Sequence, residues 1–190
     1  MIFTILIKRN LINMNNTLVI NLIGGPCSGK STIAAELFAR LKKMGLHTEL
    51  ATEYIKDRIY EENKTMPKNQ IAVFGMEHYN ISTKIGKVDV IVHDGSFLNN
   101  IIYKPEENKE FDSLIISEYK KFNNLDFFIK RGNLEFEDYG RIHNFKQSKE
   151  LDKIIKKTYD DYELPYIEVE ARDAVDKIIP IVLETIKYDK

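Results

Sequence analysis

The chain alternates short, nearly continuous apolar runs with longer stretches in which apolar residues recur every three or four positions. The first run, LVINLI at 18–23, reads as a strand buried on both faces of a parallel sheet. Ile33, Leu37, Phe38, Leu41 and Met44 then recur at helical spacing. A second strand is predicted over 47–52, ending at Glu53 and lying beside the first, with a helix running on to about 62. After the polar loop NKTMPKN, the residues Ile71, Phe74, His78, Ile81 and Ile85 mark a helix that Gly86 ends. Phe74 and Tyr79 are read as core aromatics of that helix. Further strands are predicted over 88–92, 125–129 and 166–169. Helices are predicted over 96–103, 111–122 and 174–186, with an amphipathic one marked by Leu151, Ile154, Ile155, Tyr159 and Tyr162. Strand–helix alternation without repeats implies an α/β fold, a five-stranded parallel sheet between two helical layers. In such sheets ligands bind beyond the carboxyl ends of the strands.

The first strand leads into GGPCSGKST, with the spacing Gly24-x-x-x-x-Gly29-Lys30-Ser31 of a phosphate-binding loop. Glycines let successive N–H groups converge on an anion, and the following helix adds its unpaired N-terminal donors and the positive end of its dipole. Gly24, Gly25, Pro26, Cys27, Ser28, Gly29, Lys30, Ser31 and Thr32 are therefore expected to hold the phosphates of ATP. Lys30 would reach the β- and γ-phosphates and is expected to be largely exposed; the Ser31 hydroxyl would complete a Mg²⁺ shell. Cys27 is read as a small neutral filler of the loop.

Composition narrows the classes. The chain has 190 residues, 43% of them hydrophobic, and a net charge of −1. That charge gives no basis for bulk nucleic-acid binding. One cysteine excludes an internal disulfide and suits a reducing cytoplasm. The apolar run at 2–7 is too short for a membrane span or a secretory core. Residues 1–13 carry no recognisable function, and Met14 stands just before the first strand as an alternative start, leaving 14–190 as one expected domain.

The other strand ends carry the remaining chemistry. Asp94, after an apolar strand, has the place of a carboxylate that holds Mg²⁺ together with Ser31, or alternatively caps a helix near Ser96. Glu53 is a candidate to orient an acceptor hydroxyl and take its proton, with Asp94 competing for that role and a helix-capping glutamate as the bland alternative. Arg131 and Arg141 flank GNLEFEDYG, an aperiodic segment suited to close over a nucleotide, where an arginine would meet the transferring phosphoryl group. His143, Lys146 and Gln147 extend that polar cluster. His78 falls on an apolar stripe and reads as a core or pocket-lining histidine, and Lys153, Lys156 and Lys157 as a solvated face.

These stretches together resemble one family. GGPCSGKST, the TEY after the second strand, NQIAVFGMEHYNISTKIGKVDVIVHDGSF and RGNLEFEDYGR…QSKELDKII are similar to the NadR-type AAA/P-loop proteins, which include ribosylnicotinamide kinase domains. The resemblance runs from about Thr17 to Val182 and implies a nucleoside or nucleotide kinase-like fold with ATP and Mg²⁺ as cofactors. Nucleoside kinases use a glutamate at the strand end where Glu53 stands. Where kinase relatives often carry Asp-Arg-Gly or Asp-Thr-Asp, this chain has Asp94-Gly95-Ser96, and the paired-histidine motif of an adenylyltransferase is absent. The expected activity is phosphoryl transfer from ATP to a nucleoside, nucleotide or related small alcohol. The alternatives are a nucleotide within DNA or RNA as acceptor, or an ATP-binding switch. No guanine-reading Asn/Thr-Lys-x-Asp motif is present.

Overall fold

The computed structural model describes residues 17–132 and 145–188; residues 1–13, Met14, Arg141 and His143 lie outside them. The strands are β1 (Leu18–Ile23), β2 (Thr48–Ala51), β3 (Val90–His93), β4 (Asn123–Lys130) and β5 (Ile167–Glu170). The helices are α1 (Lys30–Lys43), α2 (Tyr54–Tyr60), α3 (Gln70–Ser82), α4 (Asn99–Ile102), α5 (Lys109–Tyr119), α6 (Phe145–Asp161) and α7 (Ala174–Tyr188). All strand pairs are parallel, in the order β2-β3-β1-β4-β5. Every residue of β1 is buried, because helices cover both faces of the sheet.

Alternate residues of the central strands feed two cores. On one face Leu18, Ile20 and Leu22 meet Ile33, Leu37 and Leu41 of α1 and Ile178 and Val182 of α7. On the other, Val19 and Ile23 share a core with Phe74 and Ile81 of α3, Phe111 and Ile115 of α5 and Ile155 and Tyr159 of α6. The result is the three-layer α/β sandwich that the alternation implied.

One expectation changes. β2 does not lie beside β1, because β3 is inserted between them: Val90 pairs with both Leu18 and Thr48. Apolar patterning marks a strand without naming its neighbour, so chain order misplaced β2. The consequence is functional. Asp94 and Glu53 leave neighbouring strands, and the Asp94 N–H donates to the Ala51 carbonyl at 2.9 Å. The order along the strand ends is therefore phosphate loop, Asp94, Glu53.

A second change concerns α3. Ile71 and Tyr79, which the sequence placed on the apolar stripe and in the core, are 62% and 67% exposed. The buried stripe instead carries Gln70, Val73, Phe74, Glu77 and Ile81. His78 faces Phe74 and Phe97 and bonds to Glu118 at 3.2 Å, a packed position with a carboxylate partner. Lys153 and Lys157 are exposed as expected, while Lys156 lies 4.5 Å over the Phe128 ring and pairs with Glu168.

One rung of the sheet is polar. Asn21 is the register partner of both His93 and Asp126. Its Oδ1 meets His93 Nδ1 at 3.0 Å and its Nδ2 donates to Asp126 Oδ1 at 2.6 Å, while Tyr119 donates its hydroxyl to Asp126 at 2.5 Å. Burial pushes the His93 pKa down to about 4, against the opposing pull of Asp94, so the ring stays neutral and the strand behind Asp94 is held by satisfied polar partners. Among the described residues no helix is long and apolar enough to cross a membrane.

Candidate active site

The loop from Gly24 to Gly29 joins β1 to α1. Gly29, the N-cap of α1, sits at φ 92° in the left-handed region, which a side chain would resist. Among the described residues no side chain caps α1, and its first turn has no acidic residue. Its leading N–H groups and dipole thus remain directed at an anion. Lys30 is half-buried rather than largely exposed. Its Nζ donates to the carbonyls of Gly24 at 2.7 Å and Gly25 at 3.0 Å, so the lysine closes the loop on itself.

The outer arm of the loop is braced by α6, which sequence reasoning missed. Asp152 Oδ1 accepts the Gly25 N–H at 2.6 Å, and the Ser148 hydroxyl donates to the Pro26 carbonyl at 2.6 Å. Arg131, only 8% exposed, donates to the Ser148 hydroxyl at 2.6 Å, reaches the Pro26 carbonyl at 3.3 Å and pairs with Asp152. The sequence offered Arg131 or Arg141 to the transferring phosphoryl group; Arg131 is held instead in this ion pair behind the loop, and Arg141 lies outside the described residues.

Gly25 shows how close the bracing is. A Cβ there would stand 2.5 Å from the Ser148 carbonyl oxygen and 2.9 Å from Asp152 Oδ1. Backbone cannot yield as a flexible side chain can. Gly25→Ala is expected to lower stability by ~1–3 kcal/mol, the usual cost of overpacking, as a drop in the thermal midpoint. A midpoint equal to that of the unsubstituted protein would refute the close approach.

Beyond the loop lies a cavity of about 400 Å³ whose lining runs from Pro26–Thr32 to Glu53, Asp94 and α3. Glu53 occupies the N-cap position of α2, yet its side chain makes no capping bond there. Asp94 does not cap a helix either, since α4 begins at Asn99 with Leu98 as its N-cap. Asp94 is 5% exposed, and its Oδ1 is buried with no hydrogen-bond partner among the described residues. The hydroxyls of Ser31 and Thr32 are on exposed residues at the same cavity. Cys27, at φ 60°, lines it too. Among the described residues no cluster of three or more His, Cys, Asp or Glu side chains forms a metal cage. One hydroxyl and one underused carboxylate fit Mg²⁺, which takes few protein ligands and fills its shell with phosphates and water.

The family model described as an AAA domain matches residues 19–177 of this chain. The chain belongs to that AAA-domain family. Its fold is that of nucleoside-kinase P-loop proteins. The deoxyadenosine kinase of M. mycoides with the products dCMP and dCDP bound is 18% identical, with a TM-score of 0.52 over 90% of this chain and 99% of that one. The same enzyme with dATP bound gives 18% and 0.50 over 90% and 99%. Kti12 of Chaetomium thermophilum in complex with ADP-AlF3 is 13% identical, with a TM-score of 0.49 over 87% and 98%. No curated protein matches by sequence.

The far half of the AAA domain's cavity holds residues that the sequence reading passed over. Gln70 and Glu77 stand seven residues apart on the buried stripe of α3 and line it with Asn100 and Tyr103. That spacing, on the stripe of Val73, Phe74 and Ile81, was the available signal. Burial pushes the Glu77 pKa up to about 8; the hydrogen bond from Asn100 works against the rise, and the neighbouring Glu53 charge adds to it. Burial, then Glu53 and Asp152, also raises Tyr103, which stays a neutral phenol.

A carboxyl pKa raised on folding binds more protons in the native state, so its stability contribution declines as pH rises from the ordinary carboxylate range through about 8. Glu77→Gln, which cannot ionise, is expected to raise the thermal midpoint more at pH 9 than at pH 6. An equal shift at both values would contradict a neutral Glu77.

Proposed function

We propose that this AAA domain is an ATP- and Mg²⁺-dependent kinase whose acceptor is a small alcohol of the nucleoside or nucleotide class. The observation that carries this reading is the order of groups along one cavity: phosphate loop, then Asp94, then Glu53. A hydrolytic switch has no use for cavity space at the second carboxylate, whereas a kinase must seat an acceptor there. The loop amides and Lys30 hold the β- and γ-phosphates; Ser31 and Asp94 hold the metal ion. When bound, Mg²⁺ neutralises phosphate charge. Glu53 orients the acceptor hydroxyl and takes its proton, and Arg131, through Asp152 and Ser148, keeps the loop in shape. The deoxyadenosine kinase fold and the resemblance to NadR-type ribosylnicotinamide kinases both support a nucleoside-like acceptor.

The test is a panel of nucleosides, nucleotides and oligonucleotides incubated with ATP and Mg²⁺ and read by mass spectrometry. Phosphorylation of a small acceptor is expected. ATP hydrolysis that no acceptor alters would point to a switch, and modification of oligonucleotides alone to a nucleic-acid kinase.

A further inference from the structure

Phosphate chemistry accounts for the loop, Asp94 and Glu53 but not for the polar side chains that α3 and α4 add to the cavity. Glu77 and Asn100 are 7% and 1% exposed, and both line the cavity. Asn100 Nδ2 donates to Glu77 Oε2 at 2.9 Å and to the Phe97 carbonyl at 3.1 Å. Asn100 Oδ1, by contrast, is buried and has no hydrogen-bond partner among the described residues. A buried acceptor left unmet is costly in a folded core, and because Asn100 lines the cavity, a small shift of its side chain on binding would let a ligand donor meet it. Ile55, Ile59 and Val73 line the same cavity with apolar side chains. A flat, uncharged group with polar edges suits apolar walls and a polar end.

Resting on the kinase reading above, we propose that Glu77 and Asn100 are the specificity residues of the acceptor pocket, selecting a heterocyclic base that presents a hydrogen-bond donor and acceptor side by side. Asn100 Oδ1 accepts from the donor of the base. The Glu77 carboxyl, neutral at pH 7, donates to the acceptor beside it. A site built to hydrogen-bond a ligand group rejects the analogue that lacks it, because its own buried groups are then left unpaired. Ionised Glu77 would lose its donor and place a second negative charge near Glu53.

The groups around Glu77 let this be read as a pH effect. Glu53 faces it from the β2–α2 junction, and Asn100 and Tyr103 come from α4 and its end; Asp94, Lys30 and Lys56 line the same cavity. His78, next in the chain, is paired with Glu118. Burial holds Tyr103 above its ordinary range and brings Glu77 up to about 8; Cys27 lines the phosphate-loop end of the same cavity, so the Glu77→Gln comparison is what assigns the pH effect to Glu77.

The experiment is calorimetric binding to the full chain, without turnover. Adenosine, guanosine, cytidine and uridine are titrated at pH 6.5. Adenosine and cytidine, whose bases do not titrate in this window, are repeated at pH 9, and purine riboside, which lacks the exocyclic amine of adenosine, is compared with adenosine. At least one of the four nucleosides is expected to bind at pH 6.5. Binding of adenosine or cytidine should weaken by up to about tenfold by pH 9, and purine riboside should bind at least tenfold more weakly than adenosine. Glu77→Gln, checked for folding by circular dichroism, should flatten the pH dependence and leave ATP affinity unchanged at both pH values. Asn100→Ala should narrow the gap between adenosine and purine riboside. Failure of all four nucleosides to bind, or the same pH dependence in Glu77→Gln as in the unsubstituted protein, overturns the proposal. Selective binding with no phosphoryl transfer would instead overturn the kinase reading, and transfer with a pH-independent acceptor KM would overturn this one alone.

Discussion

Glu53→Gln is expected to retain ATP affinity and to lower the transfer rate by ~10²–10⁴-fold, the usual range for loss of a general base. Glutamine keeps the size and an oxygen for the acceptor hydroxyl but cannot take its proton. The strand order separates Glu53 from the phosphate loop by the whole of β3, so the substitution stays clear of the nucleotide phosphates. An interaction made only in the transition state lowers kcat and kcat/KM together, and that pattern is the expected signature. Asp94→Asn should differ. Its Oδ1 is buried and unpartnered among the described residues, a position suited to a metal ligand, so much of its defect should appear as a raised Mg²⁺ requirement. Magnesium titrations of both variants separate the roles. If Glu53→Gln transfers at a near-normal rate while Asp94→Asn is inactive at saturating Mg²⁺, the two assignments must be exchanged.

Lys30→Ala is expected to lower nucleotide-dependent activity by ~10²–10³-fold, the scale for removing one group that stabilises developing charge. The chain should still fold, since α1 keeps its buried contacts through Ile33, Leu37 and Leu41. The structure adds a second effect. Because Nζ ties the carbonyls of Gly24 and Gly25, alanine also frees the mouth of the loop, and ATP binding should weaken along with catalysis. Isothermal titration with ATP and steady-state rates on a variant of native circular dichroism measure both. Unchanged rates would remove Lys30 from the phosphate site.

The variants probe parts of the site that were unequally legible beforehand. The phosphate loop is local chemistry: glycine spacing, a lysine, and a strand and helix on either side are contiguous in the chain, so residues 18–44 carry the whole signal. The candidate carboxylates at the strand ends were legible for a related reason. A buried parallel strand announces itself by an apolar run, and its last residues must face the ligand side.

What local patterning could not carry was who stands next to whom. Apolar runs marked five strands but said nothing of pairing, and only folding put β3 between β1 and β2 and so ordered Asp94 before Glu53. Patterning puts Ile71 on the apolar stripe of α3 and Tyr79 in the core, because both side chains are largely apolar. Their exposure is decided by how α3 rolls on its neighbours, and that roll turns Gln70 and Glu77 into the cavity. Arg131 carried a charge and a place at a strand end. Its partners, Ser148 and Asp152, are 17 and 21 residues away along the chain, and only tertiary packing brings them to the back of the loop. The sequence alone thus determined the elements, the phosphate loop and the strand-end carboxylates, which depend on neighbours in the chain. The tertiary structure decided strand order, helix roll and the bracing of the loop, which depend on residues far apart in sequence competing for the same buried space.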